Sequence, residues 1–309
     1  MVGLSSIFLS PSVSIELFLE FFLLIILSYT FIQSIIILRS YKKESIAEIQ
    51  SFVEKKSYLV SILVSVSLLV KVVLLLFFVY ALDELASIVP GAMCVTGVLN
   101  TNEYGEVLLV LKLVLLLFAS LWLLLHKADL HSNKGIHFKK KMIFFLLLYI
   151  GIFLEFILSI TFFSSIDTQL PVSCCSVKYI ELTSSLPFNL SIQTLVSLFY
   201  ALYILLIVSA YKKKKIILFL STLIFVYISY YVIVYYFGGF IYGDSSHHCP
   251  YCMLKQEYSY VGYFIYISLF ISVFYSFGFV IFDAMKYAYK PIILWYSFFV
   301  LVLTSKLFF

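Results

Sequence analysis

Long apolar runs alternate with short polar connectors along this chain, and the runs set the pattern of elements. A helix that crosses a bilayer needs about 20 consecutive, mostly apolar residues. Eight stretches qualify: 14–38, 57–82, 106–126, 142–166, 190–210, 216–240, 258–282 and 292–308. Within each, apolar side chains follow one another without the strict every-second alternation of a barrel strand, so the pattern predicts helices. The last stretch is the shortest. The sixth and seventh are rich in tyrosine, from Tyr227, Tyr230, Tyr231, Tyr235 and Tyr236 to Tyr258, Tyr260, Tyr263 and Tyr266. The expected fold is an all-α integral membrane protein, a bundle of about eight transmembrane helices forming a single transmembrane domain over 1–309.

Composition narrows the function classes. The 309 residues are 63% apolar and only 12% charged, against about 25% charged in an ordinary soluble domain. That leaves too little polar surface for water and argues against extended disorder. The net charge of +5 is a sum of short lysine clusters between apolar runs, so no basic patch for nucleic acid is expected. The lipid bilayer is the expected surrounding.

Basic residues give an orientation. Sixteen of the 21 Lys and Arg fall in the connectors after the first, third, fifth and seventh runs, including Arg39, Lys42, Lys139 to Lys141 and Lys212 to Lys215. Cytoplasmic loops retain positive charge, so both termini and the remaining loops are expected to be extracytoplasmic. No signal peptide is expected, because the N-terminal tail lacks a positive region and the first run is too long. A bacterial inner membrane is the expected location.

All five cysteines then lie on the outer side. Cys94 is in the second loop, Cys174 and Cys175 in the fourth, and Cys249 and Cys252 in the sixth. Extracytoplasmic thiols become disulfides, metal ligands or redox centres. The sharpest motif is His247-His248-Cys249-Pro250-Tyr251-Cys252, just ahead of the seventh run. At a helix start, amide groups and the macrodipole stabilise a thiolate, and proline is tolerated in the first turn. Cys249 is then expected as an exposed attacking sulfur, Cys252 as the resolving one, and the histidines as proton carriers. The same atoms also suit a soft metal: His247, His248, Cys249 and Cys252 form a ligand set for copper or zinc. A structural pair of loop-tying disulfides is the third possibility. Adjacent Cys174 and Cys175 are expected to pair elsewhere, with Cys94 a candidate partner. The second loop, 90–105, holds three of the eleven glycines. It is expected to be tightly folded and to present Cys94 to Cys249.

The outward Cys-Pro-Tyr-Cys at a helix start, with further cysteines in a neighbouring outer loop, resembles the DsbB and vitamin K epoxide reductase group of membrane disulfide oxidoreductases. That group has a four-helix core, whereas this chain carries eight apolar runs. The resemblance implies a cysteine pair that passes electrons to a quinone and loop cysteines that exchange with a soluble extracytoplasmic thiol protein. It implies Cys249, Cys252, Cys94, Cys174 and Cys175 as the reacting set. The readings that follow are a membrane thiol/disulfide oxidoreductase or electron carrier, a copper- or zinc-handling membrane protein, and a structural subunit of a membrane complex.

Two further patterns bear on the bundle. Runs one to four and five to eight each carry a cysteine loop between their second and third members, followed by Glu-Tyr at Glu103-Tyr104 and Glu257-Tyr258. This suggests a weak four-plus-four repeat. Charges inside a membrane are costly and are by default partnered. Counted from the outer ends, Lys71 and Glu155 match in depth, as do Glu20 and Lys112. Two interhelical pairs, Lys71–Glu155 and Glu20–Lys112, are therefore expected.

Overall fold

The computed structural model describes residues 7–40, 47–131, 138–168, 170–172, 186, 190–244, 247–281 and 289–305. Among them the regular structure is helical throughout. The helices are α1 (Pro11–Ser40), α2 (Ala47–Leu85), short α3 (Val95–Leu99), α4 (Tyr104–His131), α5 (Phe138–Ser164), α6 (Ile192–Tyr211), α7 (Lys215–Val232), short α8 (Gly238–Tyr242), α9 (Val261–Ile281) and α10 (Tyr289–Ser305). A π-helical turn, Ile233–Phe237, joins α7 to α8. Seven helical segments among the described residues are long and apolar enough to cross a membrane, with α7, the π turn and α8 counting as one. The protein thus has multi-pass membrane character. At 17 residues, α10 falls short of the other seven, at the lower limit of what spans a hydrocarbon core.

Side chains are distributed as lipid demands. Phe18, Val73, Leu147, Ile204 and Phe264 are exposed on helix surfaces, while Thr30, Glu155, Ser209, Ser272 and Ser276 are buried. Within lipid the apolar face costs nothing outside, and polar groups find partners inside the bundle. The Ser28 and Tyr149 hydroxyls lie 2.8 Å apart across α1 and α5, and those of Tyr203 and Ser297 2.9 Å apart across α6 and α10.

The chain divides into two compact units, Met1–Val172 and Ser173–Phe309. In the first, α1 packs on α2 and α5, and α4 packs on α2 and α5, so four helices close a ring in sequence order. In the second, α6 packs on α7 and α10, and α9 packs on the same two. Each unit is therefore a ring of four helices with the same cyclic order. Each also places a cysteine-bearing segment between its second and third helices: Cys94 immediately before α3, and Cys249 and Cys252 between α8 and α9. Glu103 ends the first of these connections and Glu257 lies in the second.

Core packing is largely aromatic. In the first unit, Trp122 stacks on His126 at 5.4 Å and meets Phe145 edge-on at 6.2 Å. The Trp122 Nε1 donates to the Lys141 carbonyl at 3.0 Å, and Lys141 Nζ pairs with Asp129 at 2.7 Å. In the second unit, Phe199 stacks on Phe225 at 5.1 Å, and Phe225 meets Tyr296 and Phe299 edge-on. Offset and edge-on rings in this range add to the dispersion gained by burial.

Loop 90–105 folds tightly. Gly91 takes a φ of 80°, and a Cβ on Gly105 would fall 2.1 Å from the Leu99 carbonyl oxygen. Only glycine lets the start of α4 approach α3 so closely. Pro90 carbonyl accepts from Val172 N–H at 2.9 Å, beyond α5, and Asn102 donates to the Phe162 carbonyl at 3.1 Å, near the end of α5. Cys94 is buried at the entrance to α3.

Candidate functional site: a buried cysteine pair in a tyrosine-braced turn

The second unit assembles its site from the end of one helix and the start of the next. The π turn Ile233–Phe237 carries an extra residue per turn in the helix that begins with α7, an arrangement often found beside functional residues. The span expected over 216–240 is present as one helical segment, Lys215–Tyr242, with this π turn inside it. His248 Nδ1 lies 3.3 Å from the Val234 carbonyl oxygen, within reach of a hydrogen bond to the π turn. The Tyr235 ring lies 5.0 Å from the His248 ring. Helix α8 ends at Gly243, whose φ of 67° is the left-handed conformation that stops a helix at little cost.

Past that stop, the chain turns back and carries Cys249 and Cys252. Their sulfurs lie within 4.8 Å of each other. Tyr242, the last residue of α8, ties both ends of this segment: its hydroxyl donates to the Cys249 carbonyl and accepts from the Met253 N–H at 3.1 Å. From α9, the Tyr266 hydroxyl donates to the Pro250 carbonyl at 2.6 Å. The Tyr242 ring also packs against His247 at 4.3 Å and edge-on against Tyr258 at 4.7 Å. Gly262 completes the seat, because a Cβ there would fall 2.6 Å from Met253 Cγ and 2.9 Å from the Met253 carbonyl oxygen.

Three expectations change at this site. Cys249 and Cys252 do not open the seventh spanning helix. Cys252 begins a three-residue 3-10 turn, Cys252–Leu254, a second such turn covers Gln256–Tyr258, and α9 starts only at Val261. The aligned amides and dipole of a long helix are thus not at the Cys249 sulfur, and the tyrosine-braced turn takes their place. Cys249 is also not an exposed sulfur: it is 1% exposed, and Cys252 8%. A reacting group must reach it through a movement of the turn. The histidines are not gathered around the sulfur pair either. His248 turns to Val234 and His247 to Tyr242, and among the described residues no histidine nitrogen joins both sulfurs within the same 4.8 Å.

The remaining expected residues divide clearly. Cys174 and Cys175 lie outside the described residues. In the first unit, Lys71, Glu155, Glu20 and Lys112 come together as one cluster rather than as two pairs at different depths. Lys71 Nζ lies 2.8 Å from Glu155 and 3.3 Å from Glu20; Lys112 lies 2.8 Å from Glu155 and also contacts Glu20. Lysine stems are long enough to bridge the difference that helical rise assigns to their backbones. Glu16 joins them, 3.8 Å from Lys112 Nζ. Its position near the start of the first apolar run reads as a helix-end residue in the sequence. Tyr242, Tyr266 and Gly262 likewise carry no sequence signal that separates them from the many other tyrosines and glycines. The chain matches no family model, and no curated protein and no solved structure is significantly similar to it.

Proposed function

We propose that the protein is an extracytoplasmic-face thiol/disulfide oxidoreductase of a bacterial inner membrane, with Cys249 and Cys252 as its reacting pair. The observation that carries this reading is the proximity of the two sulfurs in a turn braced by Tyr242 and Tyr266. A pair held this close exchanges between dithiol and disulfide with little backbone movement. The presence of the pair inside a four-helix unit also suits the four-helix core of the DsbB and vitamin K epoxide reductase group.

In this reading the dithiol gives two electrons and two protons to a quinone and becomes the Cys249–Cys252 disulfide, while the quinone leaves as quinol. A thiolate from the outer loops, Cys94 with Cys174 or Cys175, then attacks the Cys249 sulfur. The Cys249–Cys252 bond breaks, Cys252 leaves as thiolate, and a mixed disulfide forms. A second loop thiol resolves it, and the disulfide passes on to a soluble thiol protein. The reading takes eight spans with both termini outside, an arrangement in which the cysteine loops are extracytoplasmic.

Acid-trapped alkylation of membranes tests the reading, with a chelator in a parallel sample. The expected result is a Cys249–Cys252 disulfide that dithiothreitol opens and added quinone restores, and a mixed disulfide that accumulates at Cys249 in Cys252→Ala. Thiols that stay reduced in the presence of quinone overturn it. Thiols blocked until the chelator is added overturn it in favour of metal binding.

A further inference from the structure

The first unit holds five ionisable side chains inside its ring. They come from all four long helices: Glu16 and Glu20 from α1, Lys71 from α2, Lys112 from α4 and Glu155 from α5. Glu16, Glu20, Lys112 and Glu155 are each at least 95% buried. Lys71 and Lys112 both contact Glu20 and Glu155, so these four close a neutral square. Lys112 Nζ also sits over the Phe78 ring, 4.7 Å from its centroid, in a cation–π contact.

Glu16 stands outside the square. It is 0% exposed, its nearest cation is Lys112 Nζ at 3.8 Å, and among the described residues neither of its carboxylate oxygens accepts a hydrogen bond. With two cations already balanced by two carboxylates, an ionised Glu16 would leave an uncompensated negative charge in the bundle. Such a charge costs several kcal/mol even after relaxation. A proton removes that cost without any change of packing.

Two buried hydroxyls lie ahead of that position, at the helix start. Ser12, buried and one turn before Glu16, has its Oγ 3.0 Å from Ser10 Oγ, and Ser10 precedes the start of α1. Hydroxyls both donate and accept, so they suit proton passage. Glu20 follows one turn beyond Glu16, placing Ser12, Glu16 and Glu20 in a single row.

We propose that this cluster is an intramembrane binding site for one proton, with Glu16 as the residue that holds it. Glu16 is the member of the cluster that takes up and releases the proton. This site does not depend on the cysteine chemistry.

Infrared difference spectroscopy of the purified full chain in nanodiscs, perfused from neutral to alkaline buffer, reads the proton directly. The expected result is a buried protonated-carboxyl C=O band at neutral pH that is lost on alkalinisation and is absent from Glu16→Gln. The amide mimics the neutral acid, so this variant should unfold within a few degrees of the wild type. Absence of the band from the wild type overturns the proposal, as does its persistence in Glu16→Gln. Should Glu16→Gln fail to fold, Glu16→Asp must shift the band frequency, and an unshifted band overturns the proposal equally.

Discussion

Tyr242 closes the dithiol turn onto the helix that leads into it, its hydroxyl donating to the Cys249 carbonyl seven residues further on. The same oxygen accepts from Met253 N–H, so one phenol holds the backbone on both sides of Cys249 and Cys252. Replacing it removes two bonds at once. Tyr242→Phe should cost about 1–3 kcal/mol of stability, the range for leaving buried backbone groups unsatisfied. Cys249 should also alkylate faster under native conditions. Thermal unfolding and timed alkylation in the same detergent check both.

Gly262 makes the complementary contact from α9. A methyl group would meet Met253 Cγ and the Met253 carbonyl within 3 Å, and the carbonyl belongs to backbone that Tyr242 restrains. Gly262→Ala should therefore displace the 3-10 turn and speed Cys252 alkylation. Gly243→Ala should lower stability through its positive φ, while a Cβ there meets nothing within 4 Å. Comparing alkylation rates of the two variants separates a packing effect from a backbone one.

In the first unit, Lys112 is the hub of the charge cluster. Lys112→Met leaves Glu20 and Glu155 with Lys71 alone, and removing one partner of a buried pair typically costs about 3–5 kcal/mol. Adding Glu20→Gln to Lys112→Met should recover part of that loss. A double-mutant cycle by chemical unfolding in detergent measures the recovery; strict additivity would show that Lys112 and Glu20 do not interact.

The proposed orientation has its own check. After mild loosening of the turns, a membrane-impermeant thiol reagent added to intact spheroplasts should label single-cysteine variants retaining Cys94 or Cys249. A cysteine introduced at Lys213, in the α6–α7 connection, should stay unlabelled until the membrane is permeabilised. Labelling of Lys213→Cys in intact spheroplasts would reverse the orientation.

Much of the architecture was legible in the sequence because lipid imposes a one-dimensional rule: a segment crossing hydrocarbon must be long, apolar and internally hydrogen-bonded. The helical class, the approximate bounds of the long helices and the partnering of Lys71, Glu155, Glu20 and Lys112 all follow from it. The placement of Cys94 and of the Cys249–Cys252 pair between second and third helices is likewise a matter of order along the chain. Other features depend on three-dimensional contact. The π turn at 233–237, the start of α9 at Val261 rather than at the cysteines, and the Tyr242 and Tyr266 braces arise from how α7, α8 and α9 pack. Many tyrosines occur nearby, and only packing selects these two. Glu16 is the plainest case: sequence gives it a place near a helix end, whereas the ring of four helices encloses it beside Lys112 and, among the described residues, leaves its carboxylate without a hydrogen bond. Apolar length is written locally, but the partner of a buried polar group is decided by which helix faces meet.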